Sequence, residues 1–453
     1  MNTTELFGND SSAAAPASSV LAEKGTEAPV PDARAPRLRV PERDQLAWHY
    51  GSLDDLLPAD HPVRLLWQVV GTLDLAAFHA PILAREHGAG RDATAPRLLV
   101  CLWLYASLEN VFSGRDLAAL CESHVAYRWL CGGVSLNYHT LNDFRVGHGA
   151  ALDDLFTQVL GRLLQANLVQ VRRITQDGVR IRASAGSGSF KRKEKLEVCL
   201  AEARAHLADL ERLRQAEPTA QARSLAAQEA QAQDRLDRVQ RAVVAWQQIE
   251  ANKQAHQSNT AKRTAPSRAS VTDPDARKMK MANGGFNPAY NVQVASDPAS
   301  RAIVEVQVSN GGGDAVLSEP MREQIAQRTG QAVGEQILDG GYASQEAVNR
   351  ATAQGVVVYV PVPELQHEGL QRFVPRPKDS AAVAAWRVRM GTPEAQAIYK
   401  LRAQTAETIN ADVRTWRGLG RFLVRGLAKV QCVALWAALT YNLMHFGRVL
   451  LGA

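Results

Sequence analysis

"ITQDGVRIRAS", residues 174–184, carries a short β-like run into a lone acid, Asp177, followed at once by Gly178. By itself the stretch fits either a loop aspartate at a strand end or a carboxylate held on a rigid edge for a metal ion. A second stretch repeats the placement. "EQILDGGY" (335–342) reads as a short apolar strand ending in Asp339, again with glycine next. In an open α/β sheet, sites form beyond the carboxyl ends of strands, and two carboxylates converging there repel unless a cation joins them. A divalent ion that takes hard oxygen ligands, such as Mg²⁺, completes that logic.

A third acid is expected on a nearby helix. "TPEAQAIYKLRAQTAETINADVR" (392–414) has Thr392 as N-cap, Pro393 in its first turn, and Glu407 as the candidate. Arg402 and Glu407 are five apart, which on an ideal helix separates them by about 140° and predicts no ion pair. Tyr399 and Arg402 share a face, as do Glu407 and Arg414. An ordinary charged surface helix is the other reading of the segment.

Composition bounds the rest. A chain of 453 residues with 46% hydrophobic content has room for two or three domains with sizeable cores. Its net charge of +6, from 52 basic and 46 acidic residues, permits a nucleic-acid partner without requiring one. Cys101, Cys121, Cys131, Cys199 and Cys432 are odd in number and form no CxxC pair, which fits thiols of a reducing compartment better than a disulfide framework or a zinc site. There is no GxSxG and no P-loop, and "SNGGGD" (309–314) lacks both the lysine and the spacing of one. "VQCVALWAALTYNLMHFGRVLL" (430–451) is interrupted by Gln431, Asn442, His445 and Arg448, and so predicts a buried helix in preference to a membrane span.

Residues 1–36, rich in Ala, Ser, Pro and Thr without a basic leader, read as a disordered tail. Residues 37–168 read as all-helical, with Pro62 and Pro96 near first turns. Within them, Ser113 caps one short helix, Gly132 and Gly133 break a second, and "NYHTLNDFRVGH" begins a third bearing Arg145 and His148. That is the outline of a helix-turn-helix-like DNA reader; a plain helical bundle is the alternative. Residues 191–256 carry two apolar stripes separated by Pro218 and predict an inserted antiparallel helical hairpin, whose basic start "FKRKEK" is either a phosphate contact or a solvated run. Strand and helix then alternate: a hairpin from 290–297 and 301–310, a helix over 315–330 ended by glycine, a helix capped by Ser344, and a strand over 356–362. Asp314 reads as an N-cap or as an auxiliary acid, and "TDPDARKM" (272–279) as a loop returning the insertion to the sheet, with Arg277 and Lys278 as candidate DNA contacts.

Taken in order, "QDGVRIRASAGSGSFKRKEK", "VTDPDARKM", "GFNPAYNVQVASD", "ILDGGYAS" and "YKLRAQTAETINADVR" resemble the DDE transposases of bacterial insertion sequences, in the broad class that includes the IS-four and IS-five groups and in particular the branch numbered eleven-eighty-two. The likeness extends to the helical region through "LPADHPVR", "SGRDL" and "TLNDFRVGH". It implies an α/β (α+β) fold: an RNase H-like mixed sheet flanked by helices over 169–190 and 257–453, with an N-terminal all-helical DNA-binding domain and the hairpin as an insertion. Asp177, Asp339 and Glu407 would then be the catalytic and metal-binding triad, holding two Mg²⁺ ions for which Mn²⁺ can substitute. Arg402 and Arg414 would contact the DNA backbone, and Tyr399 would either meet a distorted DNA end or serve as a packing residue; Arg145 and His148 are the DNA contacts of the helix-turn-helix-like outline. The class signature is Tyr, two residues, Arg, three residues, Glu, six residues, Lys. This chain departs from it by one extra residue before Glu407 and by Arg414 in place of Lys. The implied activity is cleavage and strand transfer at the ends of an insertion sequence. It would act on double-stranded DNA as a homodimer or larger assembly in the cytoplasm, at the nucleoid, with no membrane and no small-molecule cofactor. Two other readings stay open: a metal-dependent nuclease of the same fold that does not join ends, and an inactive, domesticated DNA-binding protein.

Overall fold

The computed structural model describes residues 51–84, 92–216, 222–255, 266–364, 371–417 and 419–452. The tail read at 1–36, the first residues of the helical region and the turn at Pro218 lie outside them.

The sheet is mixed and is built around β1 (Arg173–Arg182). Along Thr175–Arg182 it pairs antiparallel with β5 (Phe286–Ser296), and along Arg173–Thr175 it pairs parallel with β7 (Glu335–Ile337). The parallel run continues to β8 (Val357–Tyr359). The other edge of β5 is shared in tandem by β4 (Arg277–Lys280) and β6 (Ile303–Ser309), both antiparallel. β5 and β6 form the hairpin expected from their alternating, β-branched sequence. A separate ribbon, β2 (Phe190–Lys191) with β3 (Ala269–Ser270), lies at the root of the insertion.

The insertion is a pair of long helices, α8 (Lys193–Ala216) and α9 (Ala222–Ala255). Ion pairs Arg235–Glu202 and Arg214–Glu229 climb one helix as they descend the other, so the pair is antiparallel. Leu196, Ala203 and Leu210 bury their stripe against Leu225, Leu236, Val239 and Ala242.

The N-terminal helices include α1 (Pro62–Val70), the short α2 (Ala76–His79), α3 (Pro96–Leu108), α4 (Gly114–Ser123), α5 (Val125–Cys131), α6 (Tyr138–Gly147) and α7 (Gly149–Gln165). Ser113 caps α4 and Asn137 caps α6 through their side-chain oxygens, while Gly132 closes α5 at φ 54°, a left-handed conformation that favours glycine. The C-terminal helix, Leu427–Leu450, packs against α1, α3, α6, α7 and β6, so the helical region and the sheet share one continuous core. Its polar interruptions explain themselves there. Asn442 accepts from the Ile303 amide (2.9 Å) and donates to the Ile303 carbonyl (2.8 Å); Gln431 does the same for Val308 N and Val306 O (both 2.8 Å). Two side-chain amides thus stand in for the strand that edge strand β6 lacks. Among the described residues no helix is long and apolar enough to cross a membrane.

Candidate active site

Asp177 lies inside β1, not at its end as the sequence suggested. The strand runs on because its antiparallel partner continues, with Asp177 opposite Val294; only the parallel ladder to β7 stops, at Thr175 opposite Ile337. Asp177 is two residues past the first of these and Asp339 two past the second, so the two acids stand at matching heights beyond the last parallel pair. Asp339 caps the short turn Gly340–Tyr342, its Oδ1 accepting from Gly341 N at 2.7 Å. Gly178 is not a turn either. It continues the strand, and its missing side chain is what matters: a Cβ there would run into Gln293 Nε2 and stand 2.8 Å from Asn291 Oδ1. Gly178→Ala should therefore cost about 1–3 kcal/mol through overpacking, measured by denaturant unfolding.

The third acid arrives by an irregular route. The segment expected as one helix is Pro393–Arg402, capped by Thr392, then a wide π-helical turn Ala403–Glu407, then Thr408–Thr415. A π turn bonds i to i+5, so five residues bring the chain back to the same face. The expectation that Arg402 and Glu407 diverge is corrected accordingly: Arg402 Nη1 and Glu407 Oε1 are 2.9 Å apart. The residue by which this chain exceeds the Tyr–Arg–Glu spacing is absorbed in that turn. Thr405 anchors it, donating to Leu401 O at 2.8 Å and lying 3.3 Å from Thr175 Oγ1 on β1.

All three acids converge on Arg402. Its Nη2 is 2.9 Å from Asp177 Oδ2 and 3.9 Å from Asp339 Oδ2, while Nη1 holds Glu407. Asn410 Nδ2 adds a 3.1 Å bond to Asp177 Oδ2. Burial raises the Asp177 carboxyl pKa; Arg402 opposes the shift and neighbouring Asp339 adds to it. Burial alone would lower the Arg402 pKa, yet Asp177, followed by Tyr399 and Asp339, holds it above its ordinary value. The hard-oxygen donor set converging on a cation is what a divalent metal requires, and the residues fit such an ion chemically. Their present spacing is that of acids around a guanidinium, and among the described residues no three metal-ligating side chains stand close enough to share one ion.

Beside the acids opens a cleft of about 670 Å³ lined by Arg180, Arg182, Lys280, Arg414, Asp314 and Asp339. Arg414 is exposed there, whereas Tyr399 is half-buried against a small apolar core and burial raises its hydroxyl pKa. The remaining candidates sit elsewhere. Arg145 is buried, donating to Phe112 O at 2.6 Å with its guanidinium over the Trp103 ring, and His148 packs on Phe78 and Phe144. Both are engaged within the helical core; the exposed face of α6 carries His139, Asn142 and Asp143. Asp314 is not an N-cap, because the next helix begins at Ser318 with Leu317 as its cap. Its carboxylate instead accepts from Asn291 Nδ2 (2.6 Å) and Gln293 Nε2 (3.0 Å), at the cleft. In "TDPDARKM", Asp273 and Asp275 accept from Gly426 N and Leu427 N and so cap the C-terminal helix, while Arg277 donates to Pro274 O and Ala276 O. Sequence reasoning missed Asn410 and three buried strand glutamines, Gln176, Gln293 and Gln336. The available signal was an amide at an inward position of an otherwise apolar strand.

Two family models match the chain. Transposase domain (DUF772) covers residues 51–146, and Transposase DDE domain covers residues 370–446. Together they support an insertion-sequence DDE transposase. The second match takes in Tyr399, Arg402, Glu407 and Arg414 but neither aspartate. No curated protein and no solved structure matches the chain.

Proposed function

We propose that the chain cleaves the ends of an insertion sequence and transfers the freed strands to target DNA, using Asp177, Asp339 and Glu407 in an RNase H-like core. The observation that carries this reading is the convergence of three carboxylates, from a central strand, a capped turn and a π turn, on one cationic centre beside a basic cleft. The mixed sheet flanked by helices and the two transposase matches support it.

Mg²⁺, with Mn²⁺ able to replace it, would be held by the three acids and would supply the charge that activates a water or a DNA 3′-OH and offsets the leaving oxygen of an in-line displacement. Asp177 is the most rigid donor, buried on the central strand; Glu407 is the most exposed and the freest to adjust. Arg402 lies among the three acids, so a metal held there would take over its contacts and leave its guanidinium free for the cleft. There Arg402, Arg414, Arg180 and Arg182 face the DNA backbone, where a guanidinium grips phosphate through paired hydrogen bonds. Tyr399, beside them, borders the distorted DNA end. Hydrolysis and joining use one site in turn: the strand freed by the first supplies the nucleophile of the second. The partners are double-stranded element ends and target, the working unit a homodimer or larger on DNA, and the compartment the cytoplasm, at the nucleoid. Residues 51–168 serve as the end-binding region and 191–256 as an inserted arm.

Purified protein incubated with Mg²⁺ and DNA carrying the inverted repeats that flank its own coding sequence should nick at the repeat ends and join them to a target. Specific cutting without joined product would make it a nuclease. Binding without cutting, in Mg²⁺ and Mn²⁺ alike, would make it a DNA-binding protein with an inert core.

A further inference from the structure

On the sheet face opposite Asp177, three glutamines from adjacent strands form a continuous buried chain. Arg322, on the helix Ser318–Thr329, donates to Gln336 Oε1 on β7 at 2.6 Å. Gln336 Nε2 donates to Gln176 Oε1 on β1 at 2.7 Å, and Gln176 Nε2 to Gln293 Oε1 on β5 at 2.7 Å. Gln293 Nε2 ends the chain on Asp314 Oδ1 at 3.0 Å, with a second bond to Asn291 Oδ1 at 3.1 Å. The three glutamines are no more than 1% exposed. An arginine can only donate, so Gln336 must turn its oxygen toward it, and each amide in turn is forced into one orientation down to the carboxylate. The chain has a fixed direction, from a cation to an anion, in which each bond polarises the next.

Gln293 is the junction. Its oxygen accepts from Gln176 and also from the hydroxyl of Tyr342, on the turn that carries Asp339. Gln176 is the chain neighbour of Asp177. The backbone ladder between β1 and β7 ends two residues short of both acids, so nothing in the backbone pairing fixes their separation. The Gln176–Gln293–Tyr342 bonds cross that gap. Gly178 leaves the room that Gln293 needs, and a Cβ on Gly341 would stand 2.9 Å from Asp339 Oδ1 and 3.3 Å from Asp314 Oδ2.

We propose that Gln293 is a positioning residue for the site: through Gln176 and Tyr342 it sets the spacing of Asp177 and Asp339, and through Asp314 it fixes the wall of the cleft beside them. This rests on the reading of those acids as a divalent-metal site. It gives Tyr342, at the end of the turn that Asp339 caps, a task, since its hydroxyl ties that turn to the sheet.

The test compares Gln293→Met and Tyr342→Phe with the parent and with Asp177→Asn. Mn²⁺ binding is measured by calorimetry without DNA, and kcat and KM by nicking of end DNA. Tyr342→Phe removes one hydroxyl from a buried ring and keeps its shape, so it serves if Gln293→Met folds poorly. Each should weaken Mn²⁺ binding and lower kcat by roughly 10- to 100-fold, as orienting partners of metal ligands do. KM for DNA should stay within about threefold, and the double variant should be no worse than Gln293→Met alone, because Gln293→Met already removes the one bond that Tyr342→Phe removes. Parental Mn²⁺ affinity and kcat in both single variants, with Asp177→Asn defective, would overturn the positioning role alone. So would losses that multiply in the double variant. Parental Mn²⁺ binding in Asp177→Asn would overturn the metal-site reading on which the proposal stands.

Discussion

Asp177→Asn, Asp339→Asn and Glu407→Gln are each expected to lower Mg²⁺-dependent nicking by at least about a thousandfold, equivalent to roughly 4 kcal/mol of lost transition-state stabilisation. Each substitution keeps the size of the side chain and removes one charged oxygen from the proposed metal site, whose acids come from three different elements. The fold should survive. Asp177 is the demanding case because it is buried, but burial already disfavours its ionised form, and an asparagine oxygen still accepts from Arg402. Thermal midpoints at or above the parental value, together with unchanged binding of end DNA, would place the loss in the chemistry. Parental nicking by all three variants would sink the assignment of the triad.

The second large effect concerns stability. Arg328 and Glu305 are both about 2% exposed at their side chains and pair at 2.9 Å, and Arg328 also reaches Asp153 on α7 at 2.6 Å with its guanidinium over the Phe156 ring. This is the polar tie between the sheet, the helix Ser318–Thr329 and the N-terminal helices. Arg328→Leu should destabilise the fold by about 3–5 kcal/mol, because it strands a buried carboxylate, whereas Arg328→Leu with Glu305→Leu should recover most of the loss. Burial raises the Glu305 pKa even with Arg328 in place to oppose it. Without the arginine, the folded form takes up a proton that the unfolded chain at neutral pH does not hold. Stability of the single variant is thus fullest below the ordinary glutamate value and is lost as pH rises toward the raised one. Urea midpoints measured across that range check the sign. A single variant as stable as the parent at neutral pH would show that the pair contributes little.

Much of this arrangement was legible in the chain. Hydrophobic alternation marks β5 and β6, glycine and serine mark helix ends at Gly330 and Ser344, and the repeated acid–glycine placement singles out Asp177 and Asp339. What escaped shares one physical cause: it depends on partners remote in sequence. Asp177 reads as a strand end only if β7 is the reference, and β5, more than a hundred residues on, carries β1 past it. An ideal helix places Glu407 away from Arg402, and nothing in "AQTAE" announces a π turn that Thr405 secures against β1. Arg145 looks like a DNA contact until Trp103 and Phe112 enclose it. The glutamines gave the faintest sign, since an inward-facing amide has meaning only once its neighbours on two other strands are known.

The amides of Gln431 and Asn442 that close the open edge of β6 belong to a helix translated after every element it covers. Until Leu427–Leu450 has left the ribosome, β6 presents bare hydrogen-bonding groups and the N-terminal helices lack the apolar face that completes their core. Between the synthesis of β6 and that of Leu427–Leu450 the nascent chain therefore carries an unfinished edge, and this helix acts as the clasp that ends its vulnerability to pairing with another copy.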